Sequence, residues 1–489
     1  MSALIETSPS PTRTEPDSGY GVLRWLVLAT FVVILNETIM INALPRLMSE
    51  LAIGARAAQW LSTAFMLTMA VVIPVTGWFL QRVSTRAAFG TAMAVFCTGT
   101  LLAALAPSFP VLVAARVVQA GGTAVMMPLL MTTMMTVVPE HDRGRVMGNV
   151  TLTMSVAPAL GPAVSGVVLQ WLSWRWMFGL VLPVALVITL VAMRRLTDHG
   201  VRRTGSVDVF SVVAAAVGFG GFVFGLSRLG ARDALVPPYA LVVLGLAVIG
   251  VFVLRQLRLQ RTGSPLLDLR TLRHRTFTVS LALMSVAFMA MLGSMILLPL
   301  YLQDVRGLDA LRTGLLVMPG GLLMGLMGPT VGRCFDRYGS RPLVVPGALG
   351  IVVALSLMAT VSVSTPVVVV LIAHVLLMMS LAAVFTPVFT LGLGALPPHL
   401  YSHGSSLLGT LQQVAAAVGT ALVVTVMSWR ATELARGGVS PLDATVGGMR
   451  WAFGLGAVLS VAVVVLAFRL PHERAVGQVA PVVRRPIRP

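Results

Sequence analysis

Lysine is absent from this chain. All 35 basic residues are Arg, so a phosphate-loop lysine, a Schiff-base lysine and a kinase-type lysine are excluded together. Charge of either sign is scarce: 11% of the 489 residues carry it, whereas soluble domains have about 25%. Acids are the rarer sign, with 17 Asp and Glu in all. Cysteine is nearly missing. Cys97 falls in an apolar run and Cys334 in a basic loop, a pair that supplies neither a disulfide framework nor metal-ligand spacing. The first ~20 residues, with Ser8-Pro9-Ser10-Pro11, lack a basic stretch leading straight into an apolar core and cleavage site, and they read as a disordered cytoplasmic tail.

What the chain has in abundance is apolar length. Hydrophobic residues make up 57% of it, in successive runs long enough for a membrane-spanning helix. They fall near 22–41, 60–80, 87–106, 111–138, 147–169, 177–193, 209–226, 235–254, 277–301, 315–332, 343–363, 367–391, 405–427 and 451–468. Lipid leaves only helices or closed barrels, and runs this long are helical. The expected fold is an all-α polytopic membrane protein with 14 transmembrane helices. An even number places both termini on one side. With the N-terminus cytoplasmic, that side carries 24 of the 35 Arg and the opposite loops carry 10, which favours both ends inside the inner (plasma) membrane. The net charge of +18 then reads as topology and contact with anionic headgroups, with no nucleic acid as partner. The Arg-rich stretch 255–275 reads as an amphipathic interfacial helix.

An internal repeat divides the chain. Gly77-Trp78-Phe79-Leu80-Gln81-Arg82-Val83-Ser84-Thr85-Arg86 follows the second run, and Gly332-Arg333-Cys334-Phe335-Asp336-Arg337-Tyr338-Gly339-Ser340-Arg341 follows the tenth. The Gly, the middle Arg and the last Arg keep their spacing across an offset of 255 residues. A six-helix repeat with two extra helices between its copies fits that interval. The expected architecture is 6 + 2 + 6: a tail over 1–21, an N-terminal bundle over 22–193, linkers with two inserted helices over 194–275, a C-terminal bundle over 276–468 and a cytoplasmic tail over 469–489.

These two loops resemble the signature loop of the major facilitator superfamily. Four further stretches narrow the resemblance to its fourteen-helix drug:proton antiporters, multidrug efflux transporters: residues 35–45, Arg116-Val117-Val118-Gln119-Ala120-Gly121-Gly122, Ala157-Pro158-Ala159-Leu160-Gly161-Pro162-Ala163-Val164-Ser165-Gly166, and Trp174-Arg175-Trp176-Met177-Phe178. The resemblance covers roughly 22–470. The chain departs from it in places. The usual acid of the first helix aligns with Asn36, and the carboxylate stands one residue later, at Glu37, a rotation of about 100° on a helix. The usual Asn-Val order is reversed, as Ile41-Asn42. Gln81 and Ser84 replace the acid and the second glycine of the first signature loop, whereas Asp336 and Gly339 are present in the second. Ala120 stands where a glycine is usual, and Val181 where an Asn is.

Glu37 is the one acid of the 17 placed well inside an apolar run. A carboxylate at that depth costs about 2.5–3.5 kcal/mol or more, which suits a group that gains and loses a proton and for which a cationic substrate competes. The alternative is a structural acid paired with a neighbouring helix. Asn36, Thr38 and Asn42 flank it. The resemblance implies a role in proton transfer for Arg116, with Gln119 beside it and Gly121–Gly122 allowing close helix approach; a bundle-stabilising Arg bonded to carbonyls is the other reading. It likewise implies gating by Arg82 and Arg86 and by the cluster Gly332, Asp336, Arg337, Gly339 and Arg341. The physical idea is a clasp: a carboxylate bonding a helix N-terminus and an Arg in one conformation and releasing them in the other. Pro158, Gly161, Pro162 and Gly166 imply a bendable helix that closes the outer side and marks exporters, against ordinary kinked-helix packing. His374 among Val, Leu and Met is a packed interior residue or a proton relay. Gln412 and Gln413 line a cavity or bond between helices, and the 27 Met offer adaptable apolar walls or generic filler.

The expected function is proton-coupled antiport that exports lipophilic cations by alternating access. No cofactor is expected, the proton gradient being the energy source, and the partners are small lipophilic substrates, protons and membrane lipid, with the protein a monomer. A dedicated exporter of one endogenous metabolite or antibiotic shares that mechanism. An importer fits the fifth-helix pattern less well, a membrane-embedded enzyme has no nucleophile, metal or nucleotide motif behind it, and a channel lacks charged pore rings.

Overall fold

Each apolar run forms one helix because its backbone has no other partner at that depth. The computed structural model describes residues 17–40, 43–196, 206–229, 236–262 and 265–471. Among them are 14 helices long and apolar enough to cross a membrane. The N-terminal six are α1 (Asp17–Ile39), α2 (Trp60–Leu80), α3 (Thr85–Ala104), α4 (Phe109–Val137), α5 (Arg143–Trp171) and α6 (Arg175–Arg195). Then come α7 (Val209–Ser227) and α8 (Pro238–Thr262). The C-terminal six are α9 (Arg275–Leu300), α10 (Ala310–Tyr338), α11 (Arg341–Met358), α12 (Val367–Gly394), α13 (Tyr401–Arg436) and α14 (Pro441–Arg469).

The repeat is visible in the packing. In the first half α1 packs on α4, α5 and α6, while α3 and α4 pair, α3 meets α6 and α2 meets α4. In the second half α9 packs on α12, α13 and α14, while α11 and α12 pair, α11 meets α14 and α10 meets α12. Adding eight to each helix number of the first set reproduces the second. The inserted α7 and α8 pack on each other, and α7 lies against both α2 and α13. Its contact with α2 includes the rings of Phe224 and Trp60, 5.6 Å apart.

One expectation fails at the end of the inserted pair. The stretch 255–275 is not an interfacial helix: α8 runs straight on to Thr262, and the chain then makes a short 3-10 turn at Leu269–Arg273. Polar clamps dictate this. Gln256, fully buried, accepts from the backbone N–H of Leu266 and Leu267 and donates to the Ser211 hydroxyl. Arg255 donates to both Asp208 oxygens at 3.0 and 2.9 Å, and this pairing holds the Asp208 carboxyl down at about 2.

Two seams join the halves. Along the first, α5 and α10 cross with small residues face to face. A side-chain carbon on Gly332 would collide with the Gly144 carbonyl, and one on Gly328 with that of Gly148. Farther along, Gly325 meets Val156 and Gly321 meets Ala159. Along the second, α13 meets α2 and α4. Ser406 donates to the Ile73 carbonyl, and the hydroxyls of Thr132 and Ser405 are 2.8 Å apart. Glycine-mediated approach of this kind lets polar backbone and hydroxyl groups bond between helices where lipid offers no competing partner.

Candidate functional site

The face on which α1 begins and α14 ends is closed by the two signature loops. Asp336, near the end of α10, accepts from the backbone N–H of Gly144 at 2.9 Å and of Arg145 at 2.8 Å, the first turn of α5. The carboxylate thereby satisfies two of the four donors a helix leaves open at its N-terminus, at the positive end of the helix dipole. Gln81, its counterpart, donates from Nε2 to the His399 carbonyl at 2.9 Å, just ahead of α13. Beside them Arg143 is buried; it donates to the carbonyls of Met135 and Val138 and to the Tyr401 hydroxyl, which lies in the opposite half.

The other expected gating residues divide. Arg341 does not join Asp336; its guanidinium donates to the carbonyls of Leu470 and Phe468 and so caps α14. Arg337 lies over the Tyr338 ring, and Arg333 bonds back to the Pro329 carbonyl. The charged cluster is therefore dispersed, and only its carboxylate reaches across. Arg82 stacks on Trp78 at 4.4 Å, and Arg86 is exposed in the first turn of α3. Gly339 has φ +81° and ψ −171°, an extended positive-φ conformation at the end of α10 that disfavours any side chain.

Deeper in the membrane, α1 stops at Ile39, a turn follows at Met40, and a new helix begins over Leu44–Glu50. Glu37 is therefore in the last turn of a helix, which the apolar run did not reveal. The chain nevertheless continues toward the far face. Thr38 rests on Gly161, where a side-chain carbon would strike its hydroxyl, and Arg46 bonds the Leu169 carbonyl eight residues farther along α5. Glu37 thus lies about 15 Å below the far end of α5, by helical rise. α1 is a discontinuous helix whose carbonyl-bearing end lies next to a carboxylate, an arrangement suited to a cation or a proton.

Arg116 faces this point from α4. It is 1% exposed, and its Nη1 donates to the Gln119 amide oxygen at 2.6 Å. Gln119 in turn donates to the Thr100 hydroxyl on α3 at 2.8 Å, and Thr100 donates to the Phe96 carbonyl. The guanidinium carbon lies 4.1 Å from the centre of the Phe65 ring of α2. Glu37 and Arg116 attract each other without an N···O contact inside 4 Å. Arg116 Nε and both polar atoms of the fully buried Asn36 have no hydrogen-bond partner. Each such group costs about 1–3 kcal/mol, so the site holds unspent donors and an acceptor around one carboxylate. The geometry can pair the carboxylate with Arg116, protonate it, or set it against a cation.

Asn42 lies outside the described residues. Of the fifth-helix set, Gly161 is the position where packing forbids a side chain, a side-chain carbon on Gly166 would meet only Leu311 at an ordinary 3.7 Å, and α5 stays helical through Pro158 and Pro162. His374 is in the other half, on α12, against Gly320 of α10; its Nε2 is 3.3 Å from the Val317 carbonyl, and Nδ1 has no partner. The sequence had not singled out Thr100, Phe65 or Arg143. Hydroxyls and rings in apolar runs carry no local signal, and only the fold brings them to charged groups.

Two helical bundles of matching internal packing, joined along two seams and holding a buried acid, define a transporter of the polytopic membrane class. The chain belongs to the Major Facilitator Superfamily, whose sequence profile matches residues 26–420. It is 38% identical over 445 residues to a lincomycin resistance protein LmrB of Listeria innocua, covering 90% of this chain and 94% of that one. It is 35% identical to the uncharacterized MFS-type transporter YcnB of Bacillus subtilis, over 93% and 96% of the two chains, and 29% identical to a multidrug resistance protein B homolog of Mycobacterium tuberculosis, over 86% and 79%. The same fold occurs in the human organic anion transporter MFSD10, with TM-score 0.66 and 14% identity over 92% of this chain and 99% of that one. It also occurs in the proton:xylose symporter XylE, with TM-score 0.65 and 15% identity over 93% and 96%. The protein is a multi-pass membrane transporter, not an enzyme.

Proposed function

We propose that the protein exports lipophilic cationic drugs across the plasma membrane in exchange for protons, with both termini cytoplasmic. The carrying observation is the shared field of Glu37 and Arg116 beside the unpartnered Asn36 amide at the break in α1. Proton and substrate compete for the Glu37 carboxylate. Arg116, oriented by Gln119 and Thr100, tunes its proton exchange. On this reading Asp336 and Gln81 are the cytoplasmic latch, with Arg82, Arg86, Arg337, Gly339 and Arg341 supporting the loops around it. Gly161 lets α1 lie close against α5 within the N-terminal bundle, and the rest of the fifth-helix set, Pro158, Pro162 and Gly166, allows that helix to bend. The relatives named for lincomycin and for multidrug resistance support export of drugs.

The test is transport in inverted vesicles with an imposed proton gradient, across a panel of lipophilic cations and neutral analogues. Glu37→Gln is expected to reduce gradient-driven transport at least about tenfold, the scale of a lost buried charge partner, with membrane insertion and melting unchanged. Unchanged transport in Glu37→Gln removes the reading. Transport of one compound alone from the panel replaces a multidrug exporter by a dedicated one.

A further inference from the structure

Within the N-terminal bundle, α2, α3 and α4 enclose a cavity of about 220 Å³, lined by Val75, Trp78 and Phe79 of α2, Val95 of α3, and Gly121 and Val125 of α4, among others. Its rim includes the exposed Thr91 and the half-buried Val95 and Val125, so it opens on the outer surface of the bundle, toward lipid. The adjacent glycines of α4 do different jobs here. A side-chain carbon on Gly122 would collide with the Ala92 carbonyl, so Gly122 is required for α3 and α4 to touch. One on Gly121 would reach only Val95 Cγ1, at an ordinary 3.7 Å. Gly121 is not needed for packing; its missing side chain leaves the groove open.

The groove ends at the face that carries the termini. There the Trp78 ring forms its wall, its indole nitrogen turned into the protein and out of reach of the groove. The Arg82 guanidinium lies 4.4 Å from the centre of the Trp78 ring and donates to the Trp78 carbonyl. Arg86 follows in the first exposed turn of α3, whose N-terminal dipole end points the same way. An apolar slot does not hold water, and this one is smaller than the ~300–1,000 Å³ of drug-sized sites. A slot for one alkyl chain that ends at headgroup depth beside an Arg matches one chemistry.

We propose that this groove binds one anionic phospholipid, with an acyl chain between α2, α3 and α4 and the phosphate held by Arg82 at the start of α3. The test is native mass spectrometry of the full-length protein in detergent with equal phosphatidylglycerol and phosphatidylcholine. Wild type is expected to retain phosphatidylglycerol about fivefold more than phosphatidylcholine, the discrimination one Arg supplies at a membrane surface. Gly121→Leu should drop retention of both lipids to background. Val95→Phe blocks the same groove from its rim and carries the test if Gly121→Leu does not fold. Arg82→Gln should keep a bound lipid and lose the preference between the two. Equal retention of both lipids by wild type overturns the proposal. So does wild-type retention of phosphatidylglycerol by a folded Val95→Phe, or displacement of the lipid by a lipophilic cation that occupies the groove.

Discussion

The two copies of the signature loop close the same face with opposite chemistry. Asp336 accepts from two backbone N–H groups at the start of α5; Gln81 donates to a backbone carbonyl just ahead of α13. α5 and α13 hold equivalent places in their bundles, so each loop grips the beginning of the same helix in the opposite half. The grip is repeated, the partner atom is not. An acid suits a helix N-terminus, where donors and dipole both favour negative charge. Against the His399 carbonyl a carboxylate would meet another acceptor, and an amide supplies the donor instead. The same logic covers the second departure. Gly339 sits at φ +81°, whereas Ser84 has φ −67° and caps α3 by accepting from the Ala87 N–H. One backbone needs glycine and the other uses a hydroxyl.

The comparison is open to experiment, beginning where the effect is largest. Asp336→Ala removes two hydrogen bonds to a charged group, about 1.5–3 kcal/mol each. Spin labels on α5 and α10 at the face carrying the termini should report a shift toward separated bundles; an unchanged distance distribution would mean that the glycine seam alone holds this closure. Gly332→Ala comes next. Its new carbon meets the Gly144 backbone, which cannot step aside, and overpacking costs about 1–3 kcal/mol. The equivalent Gly77→Ala meets the His403 side chain at 2.9 Å and should cost less. Equal losses of melting temperature in the two variants would contradict the asymmetry between the seams. Gln81→Glu replaces a neutral donor with an acceptor at a carbonyl, a change of about 1 kcal/mol; accessibility of a cysteine placed on the α2–α13 seam should rise, and the carbonyl contact is refuted if it falls. The last pair is Gly339→Ala, about 1–3 kcal/mol for an extended positive-φ backbone that only glycine adopts readily, against Ser84→Gly, a few tenths. Thermal unfolding in detergent ranks them, and the reverse order would place the strain in the wrong loop.

Much of the fold was legible because lipid simplifies the problem. Runs such as 60–80 and 367–391 have one available structure, and the repeated loop revealed the two halves through its spacing. The interruption of α1 was not legible, since Ile39 and Met40 are as apolar as the residues before them. The stretch 255–275 misled for a related reason. Its alternation of Arg and Leu fits an interfacial helix, but buried Gln256 captures the Leu266 and Leu267 amides and turns the chain away. At the candidate site, Glu37 and Arg116 stood out because charge in lipid is costly. Thr100, which completes the network through Gln119, did not, since a hydroxyl can bond its own helix and costs little anywhere.

By itself the sequence determined the class of molecule, the number of apolar crossings and the twofold plan. Those follow from local composition, because a bilayer penalises each residue according to its own polarity. Only the tertiary structure decided who meets whom: Asp336 with α5 and not with Arg341, Arg116 with Gln119 and Thr100, Gly161 under Thr38, Gly121 beside an open groove. Such pairings join residues far apart in the chain, and their energy depends on distances of a few ångströms that no spacing along one segment encodes.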